Sequence, residues 1–243
     1  MKINKPYLVT CASYTNGCET FIQSLKNADD SISYYSVEFF PHFYEKPVHA
    51  TRLLLSDEYP GHLRRLAYAP FDFIDLDRWV IFSDTDDVKI QKRVPELPDD
   101  KDILVANENV QHNEGFWAPV IKQFPIFESL LDKPVYNAGL FAMKGHVLKE
   151  YVSFLGEFMA KHNLTEFQYL DQLILNYWIH EVADKRDKKN KPKYRVGYVP
   201  TLFLCLHANV DKNNCKRVYG QWCDKQGNPY TFVHANGNKK NLL

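Results

Sequence analysis

The chain has no excess of charge of either sign: 30 Lys and Arg stand against 30 Asp and Glu. That excludes a nonspecific nucleic-acid binder held by bulk charge, and no stable nucleic-acid partner is expected. No apolar run approaches the roughly 18 residues that span a bilayer, so no transmembrane segment is expected. The opening stretch MKINKPYLVTCASYTNG has neither the apolar centre nor the small-residue cleavage site of a secretory signal. The five cysteines (Cys11, Cys18, Cys205, Cys215, Cys223) form no CxxC pair. An odd number of cysteines without a signal points to reduced thiols and a cytoplasmic setting. Cys215, Cys223 and His207 match no usual zinc spacing. Internal repeats, linkers and low-complexity segments are also missing.

What remains is an ordinary globular composition, 45% apolar and 25% charged over 243 residues. It fits one large α/β domain or two small ones. The most informative stretch is Arg78 to Val88, RWVIFSDTDDV. Trp79 to Phe82 reads as a buried strand. Three carboxylates, Asp84, Asp86 and Asp87, follow at once. In extended chain Asp84 and Asp86 point to one side, about 6–7 Å apart. Like charges about 5 Å apart repel by about 3 kcal/mol at an effective dielectric near 20, and a divalent ion reverses that sign. Oxygen ligands at a strand mouth suit Mg or Mn. An acidic turn closing a strand is the plain alternative.

Around this stretch the pattern alternates. Pro6 to Ala12 reads as a strand broken by Asn16-Gly17, and Glu19 to Lys26 as a helix with Phe21, Ile22 and Leu25 on one face. This strand, turn and helix open a nucleotide-binding α/β unit. Ser33 to Phe40 reads as a strand, and Gly61 to Ala69 as a helix carrying Arg64 and Arg65. His49 to Leu55 fits either class. Asp102 to Ala106 reads as a strand followed by a polar loop, Asn107 to Gly115. Phe116 to Leu131 reads as a helix broken at Pro125. Val135 to Met143 reads as a strand interrupted by a small-residue kink, where glycine marks close approach. His146 to His162 and Phe167 to Val182 read as helices, and Val196 to Leu206 as a strand region. The run DKRDKKNKPKYR at 184–195 reads first as a solvated loop, with an anionic acceptor, a membrane surface or a lid as alternatives.

Five blocks in order resemble retaining glycosyltransferases of the GT-A fold, the glycogenin and bacterial lipopolysaccharide galactosyltransferase group. They are Val9-Thr10 with Tyr14, Gly17 and Ser24-Leu25; Asp84-Thr85-Asp86; Asn137-Ala138-Gly139-Leu140-Phe141; Asp171-Gln172 through Asn176; and His234-x-x-Gly237-x-x-Lys240. Two departures stand out. The family's final Lys is usually followed by Pro-Trp, whereas Asn241-Leu242-Leu243 follow here. Arg64 and Arg65 lie further upstream of the acidic stretch than the family's basic position.

The resemblance implies one GT-A domain over 1–243, an α/β fold with a mixed, mainly parallel sheet between helices. It implies transfer of a hexose-type sugar, with retention, from a UDP-sugar to a glycan, lipid-linked or protein acceptor. Mn2+ or Mg2+ would sit on Asp84, Asp86 and His234, with Asp84 also near the ribose. Thr10, Ala12, Tyr14 and Arg64 would hold the nucleotide, Gly237 and Lys240 the phosphates, and Asn137 and Gly139 the sugar. Asp171 and Gln172 would stabilise the oxocarbenium-like state, and Asn107 and Glu108 would meet sugar hydroxyls. If the reaction inverts, Asp171 would be the base. Two other readings compete. One is a two-metal phosphoryl-transfer enzyme or nuclease on Asp84, Asp86 and Asp87. The other is a noncatalytic nucleotide-sugar-binding protein on the same fold.

Overall fold

The computed structural model describes residues 6–12, 15–29, 32–38, 75–85, 87–164, 169–206 and 215–235, with backbone alone at 9–12, 15–20, 22 and 33–38. The expected features at 39–74, together with Tyr14, Asp86, His207, Gly237 and Lys240, lie outside the described residues.

The central sheet is built from β1 (Tyr7–Ala12), β2 (Ser33–Glu38), β3 (Trp79–Asp84), β5 (Ile103–Gln111), β6 (Pro134–Lys144) and β7 (Val196–Gly197), in the order β2-β1-β3-β6-β5-β7. All run one way except β6, which is antiparallel to both of its neighbours. The fold is therefore α/β with a mixed, mainly parallel sheet, as expected. β3 is buried at every position from Trp79 to Ser83, as a central strand covered on both faces must be.

Alternate residues feed two cores. Val80, Phe82, Val105 and Phe141 face α2 (Trp117–Gln123), α3 (Gly145–His162) and α4 (Leu170–Tyr177). The Phe82 and Phe141 rings stack there at 4.9 Å. Leu8, Ile81, Leu104 and Leu140 face the opposite way, toward Phe21 and Leu25 of α1 (Thr15–Ala28). That second face is shared with a small sheet of β4 (Val88–Ile90), β11 (Phe232–His234) and β8 (Phe203–Cys205), in the order β4-β11-β8. β9 (Lys216–Val218) and β10 (Gln221–Cys223) form a hairpin.

Several local expectations change. Asn16-Gly17 does not break the chain before the helix: α1 starts at Thr15, so both sit in its first turn, where backbone N–H groups have no intrahelical partner. The polar loop expected at 107–115 is largely strand, because β5 continues to Gln111. Its Asn107, Asn109 and Gln111 are exposed while Glu108 and Val110 are buried, a two-residue period hidden from the sequence by an inward-facing glutamate. β6 is a continuous strand, but its pairing with β5 slips: Val105 pairs with Phe141 and Asn107 with Tyr136. The region 196–206 holds two short strands, β7 and β8, rather than one.

Other expectations hold. The helix broken at Pro125 is α2 followed by a 3-10 turn, Pro125–Leu130. α3 matches its predicted span within one residue, and α4 continues into a π turn, Trp178–Ala183. The basic run is exposed over 184–191, and its end is pinned by Arg195 to Asp102 and by Tyr194 to Glu150.

Candidate metal centre

Asp84 is the last residue of β3, at the carboxyl end of the sheet. β1 runs beside it in parallel, with Thr10 level with Ser83 and Cys11 level with Asp84, so Thr10 and Ala12 share that end. The chain turns at once into β4, and Asp87 lies in the turn. Its carbonyl accepts a hydrogen bond from the Ala235 N–H at 2.8 Å, which ties the turn to the end of β11. His234 pairs in register with Val88 on one side and Cys205 on the other. Its ring is thereby fixed against the carboxylates.

The His234 Nε2 lies 3.1 Å from Asp87 Oδ1 and 3.8 Å from Asp84 Oδ2. One ligand atom from each of Asp84, Asp87 and His234 falls within 4.8 Å of the others. Burial alone would push the imidazole pKa down. The Asp87 hydrogen bond and the charges of Asp87, Asp84 and Glu108 outweigh it and hold the group above its usual value. Two carboxylates and one imidazole are a donor set that could hold a metal ion. β6 lets these side chains close on it at Gly139: a Cβ there would stand 2.3 Å from Asp84 Oδ2 and 2.4 Å from His234 Cε1. Glycine is required by that approach.

Behind the ring is a buried polar chain. His234 Nδ1 donates to Asn137 Oδ1 at 2.9 Å, a direction set by what holds the amide. Asn137 Nδ2 donates to Glu108 Oε1 at 2.8 Å, and Gln172 Nε2 donates to the same oxygen at 3.0 Å. Gln172 Oε1 accepts the Ala138 N–H at 3.3 Å. Glu108 thus turns the amide nitrogen of Asn137 toward itself and the oxygen toward the histidine. With Nδ1 as donor, Nε2 is the atom presented to the carboxylates, the arrangement that orients a metal-binding histidine. Three groups, from β5, β6 and α4, act on the one ring of β11.

The structure therefore gathers Asp84, Asn137, Gly139, Gln172 and His234 of the predicted site. Asp171 sits in the first turn of α4, where its Oδ1 accepts the Gln172 N–H at 2.8 Å. Asn107 is apart from Glu108, lining a cavity of about 370 Å³ with Tyr198 and Tyr230. Asp87 had entered only through the phosphoryl-transfer reading. Asp84 ends its strand and Asp87, three residues on, joins the cluster, while Asp86, which the two-residue alternation singled out, lies outside the described residues. Glu108 was expected at sugar hydroxyls; its interior role needed the strand period of β5 to be visible. Buried Cys205, close to Asp84, Asp87 and Glu108, has its thiol pKa pushed up, chiefly by burial, and is no thiolate at neutral pH.

No protein-family model and no curated protein matches the chain. Solved structures similar to it include the apo-form glycosyltransferase GlyE of Streptococcus pneumoniae TIGR4, with a TM-score of 0.48 and 14% identity. That alignment covers 79% of this chain and 45% of that one, so this chain spans less than half of its length. Similarity so distant does not carry function across. No helix among the described residues is long and apolar enough to cross a membrane.

Proposed function

We propose that the protein is a metal-dependent glycosyltransferase, moving a hexose-type sugar from a UDP-sugar donor to a hydroxyl acceptor. The observation that carries this is the Asp84, Asp87 and His234 cluster at the carboxyl end of β3, facing Gly139. Ligands of open α/β sheets bind at that end. A divalent cation held there would neutralise charge growing on a departing diphosphate.

The residues then divide the work. Asp84, Asp87 and His234 hold the cation, and Asp86 is assigned as a further ligand. Thr10 and Ala12 flank the nucleotide, with Tyr14 and Arg64 as further contacts, and Gly237 and Lys240 meet the phosphates. Gly139 keeps the sugar side of the centre open. Gln172 has Oε1 and one Nε2 hydrogen committed to the protein, and offers its second hydrogen to the sugar. Asp171 stabilises positive charge at the anomeric carbon. Retention, one domain spanning 1–243, and a glycan, lipid-linked or protein acceptor complete the proposal.

Asp87 in the cluster also favours a second reading, phosphoryl transfer on the same carboxylates. One experiment separates them. Isothermal titration of UDP, GDP, CMP and ADP, each with Mn2+ and with EDTA, is expected to show Mn-dependent binding of UDP alone. Release of free sugar from a UDP-sugar then supports the transferase. Equal or absent binding of all four nucleotides overturns it, and cleavage of a phosphodiester substrate in its place supports phosphoryl transfer.

A further inference from the structure

We infer that a second cleft, on the flank of the molecule, binds a neutral oligosaccharide. It lies between α1, β4 and the β9–β10 hairpin and encloses about 730 Å³. That is within the roughly 300–1,000 Å³ of small-molecule sites. Gln23 and Asn27 of α1, Lys89 of β4 and Gln91 just after it, and Tyr219 and Gln221 of the hairpin line it.

The hairpin turn has two residues, Tyr219 at φ +48° and Gly220 at φ +81°. Such a turn asks for Asn, Asp or Gly in its first place, since a bulky side chain at positive φ is strained. Tyrosine occupies it instead, with its side chain wholly in solvent at 102% relative exposure. Strain held at an exposed aromatic is a mark of use rather than of packing. The turn is also rigidly mounted. Gln91 Nε2 donates to the carbonyls of Trp222 and Tyr230, both at 3.0 Å, and its Oε1 accepts the Trp222 N–H at 2.8 Å. Gln221 Nε2 returns a bond to the Gln91 carbonyl at 3.2 Å.

The chemistry of the walls selects the ligand. Among the described lining residues there is no carboxylate and one lysine, so neither a cationic nor a strongly anionic ligand is matched. The amide of Gln91 is spent on the hairpin, Gln221 Nε2 gives one hydrogen to it, and Gln23 Nε2 gives one to Asn27 Oδ1 at 2.9 Å; Gln23 Oε1, Gln221 Oε1 and Asn27 Nδ2 are left to meet hydroxyl groups. An aromatic ring offers an apolar face to the C–H side of a sugar. Gln91 is four residues along the chain from Asp87, about 13 Å if extended. A chain of several sugars could therefore lie in the cleft and still approach the carboxylates. The cleft needs no cation, so it stands or falls separately from the metal centre.

The test is calorimetric titration of the intact chain with maltohexaose, cellohexaose and β-1,4-galactohexaose, in Mn2+ and in EDTA. A hexamer of galacturonate and hexalysine serve as charged probes. Binding of at least one neutral hexaose, equal in Mn2+ and EDTA, is expected. Tyr219→Asn should weaken it tenfold or more while leaving the melting temperature unchanged or higher, because Asn-Gly suits the turn. Tyr219→Trp should keep it. The inference is overturned if no neutral hexaose binds, if only a charged probe binds, or if Tyr219→Asn binds as the parent does.

Discussion

Gly139→Ala adds one methyl group at the centre of the site. The new Cβ would stand 2.3 Å from Asp84 Oδ2 and 2.4 Å from His234 Cε1. Ordinary contact begins near 3.4 Å, so the methyl and its two neighbours must separate by about 1 Å on each side. Of the two, the buried histidine does not yield easily. His234 is held by strand pairing on both sides and by Asn137. Metal sites tolerate only about 0.2 Å in ligand distance. Misplacement of reacting groups by about 1 Å costs on the order of 10²-fold in rate. Overpacking should cost about 1–3 kcal/mol of stability. Gly197→Ala is the control: its Cβ would meet Lys101 Cδ at 2.8 Å, on a flexible side chain that can move aside. Mn2+ and Mn-dependent UDP titrations of both variants, alongside thermal denaturation, read the difference. A folded Gly139→Ala protein that binds both within threefold of the parent would refute the reasoning.

Three further outcomes are expected. Glu108→Ala leaves Asn137 Nδ2 and Gln172 Nε2 without their acceptor, at about 1–3 kcal/mol each, and should weaken Mn2+ binding about 10–100-fold. Glu108→Gln can place its amide oxygen in the same position and should lose less, and equal Mn2+ affinity in a folded Glu108→Ala variant would count against the relay. His112 is kept neutral by burial, with its pKa lowered to about 4, the nearby His180 adding to the shift and the Lys133 carbonyl opposing it. The unfolded chain therefore takes up this proton first, so stability is complete above about pH 6.5 and falls by up to about 3 kcal/mol on going to pH 4. His112→Asn should flatten that fall in urea unfolding across the range; an unchanged slope would remove His112 as its source. Burial would raise the Asp102 pKa, but Arg195 and Lys144 hold it well below the usual carboxylate range. Its contribution is present above about pH 4 and fades as pH falls further, so Asp102→Asn should narrow the gap in melting temperature between pH 7 and pH 3.

Where the sequence carried a period or a steric demand, it was readable. β3 announces itself by Trp79 to Phe82, and the glycine of β6 by its place in an apolar strand. The partnership of Asp84 with His234 entered through the resemblance. What resisted reading was polar and inward. Glu108 breaks the apolar face of β5 and makes a strand look like a loop. Asp87 reaches the cluster through a turn, whose direction is set by β4 pairing with β11 more than 140 residues later. The Tyr219-Gly220 turn gave no signal, because a tyrosine at positive φ is what local preference argues against.

The block from Asp171 to Asn176 shows how fold and site share residues. Gln172 and Asn176 are four apart and so lie on one face of α4. That face meets β6 where it runs on past β3, whose pairing with it ends at Leu140, leaving backbone groups of β6 in need of partners. Asn176 Oδ1 accepts the Tyr136 N–H and its Nδ2 donates to the Tyr136 carbonyl, both at 2.7 Å, as a neighbouring strand would. Gln172 does the same for the Ala138 N–H and then passes on to Glu108. Without the two amides, this stretch of β6 would leave buried backbone unpaired. Asn176→Leu should therefore destabilise the fold by exposing that defect, whereas a loss confined to metal binding would show that the amides serve the site alone.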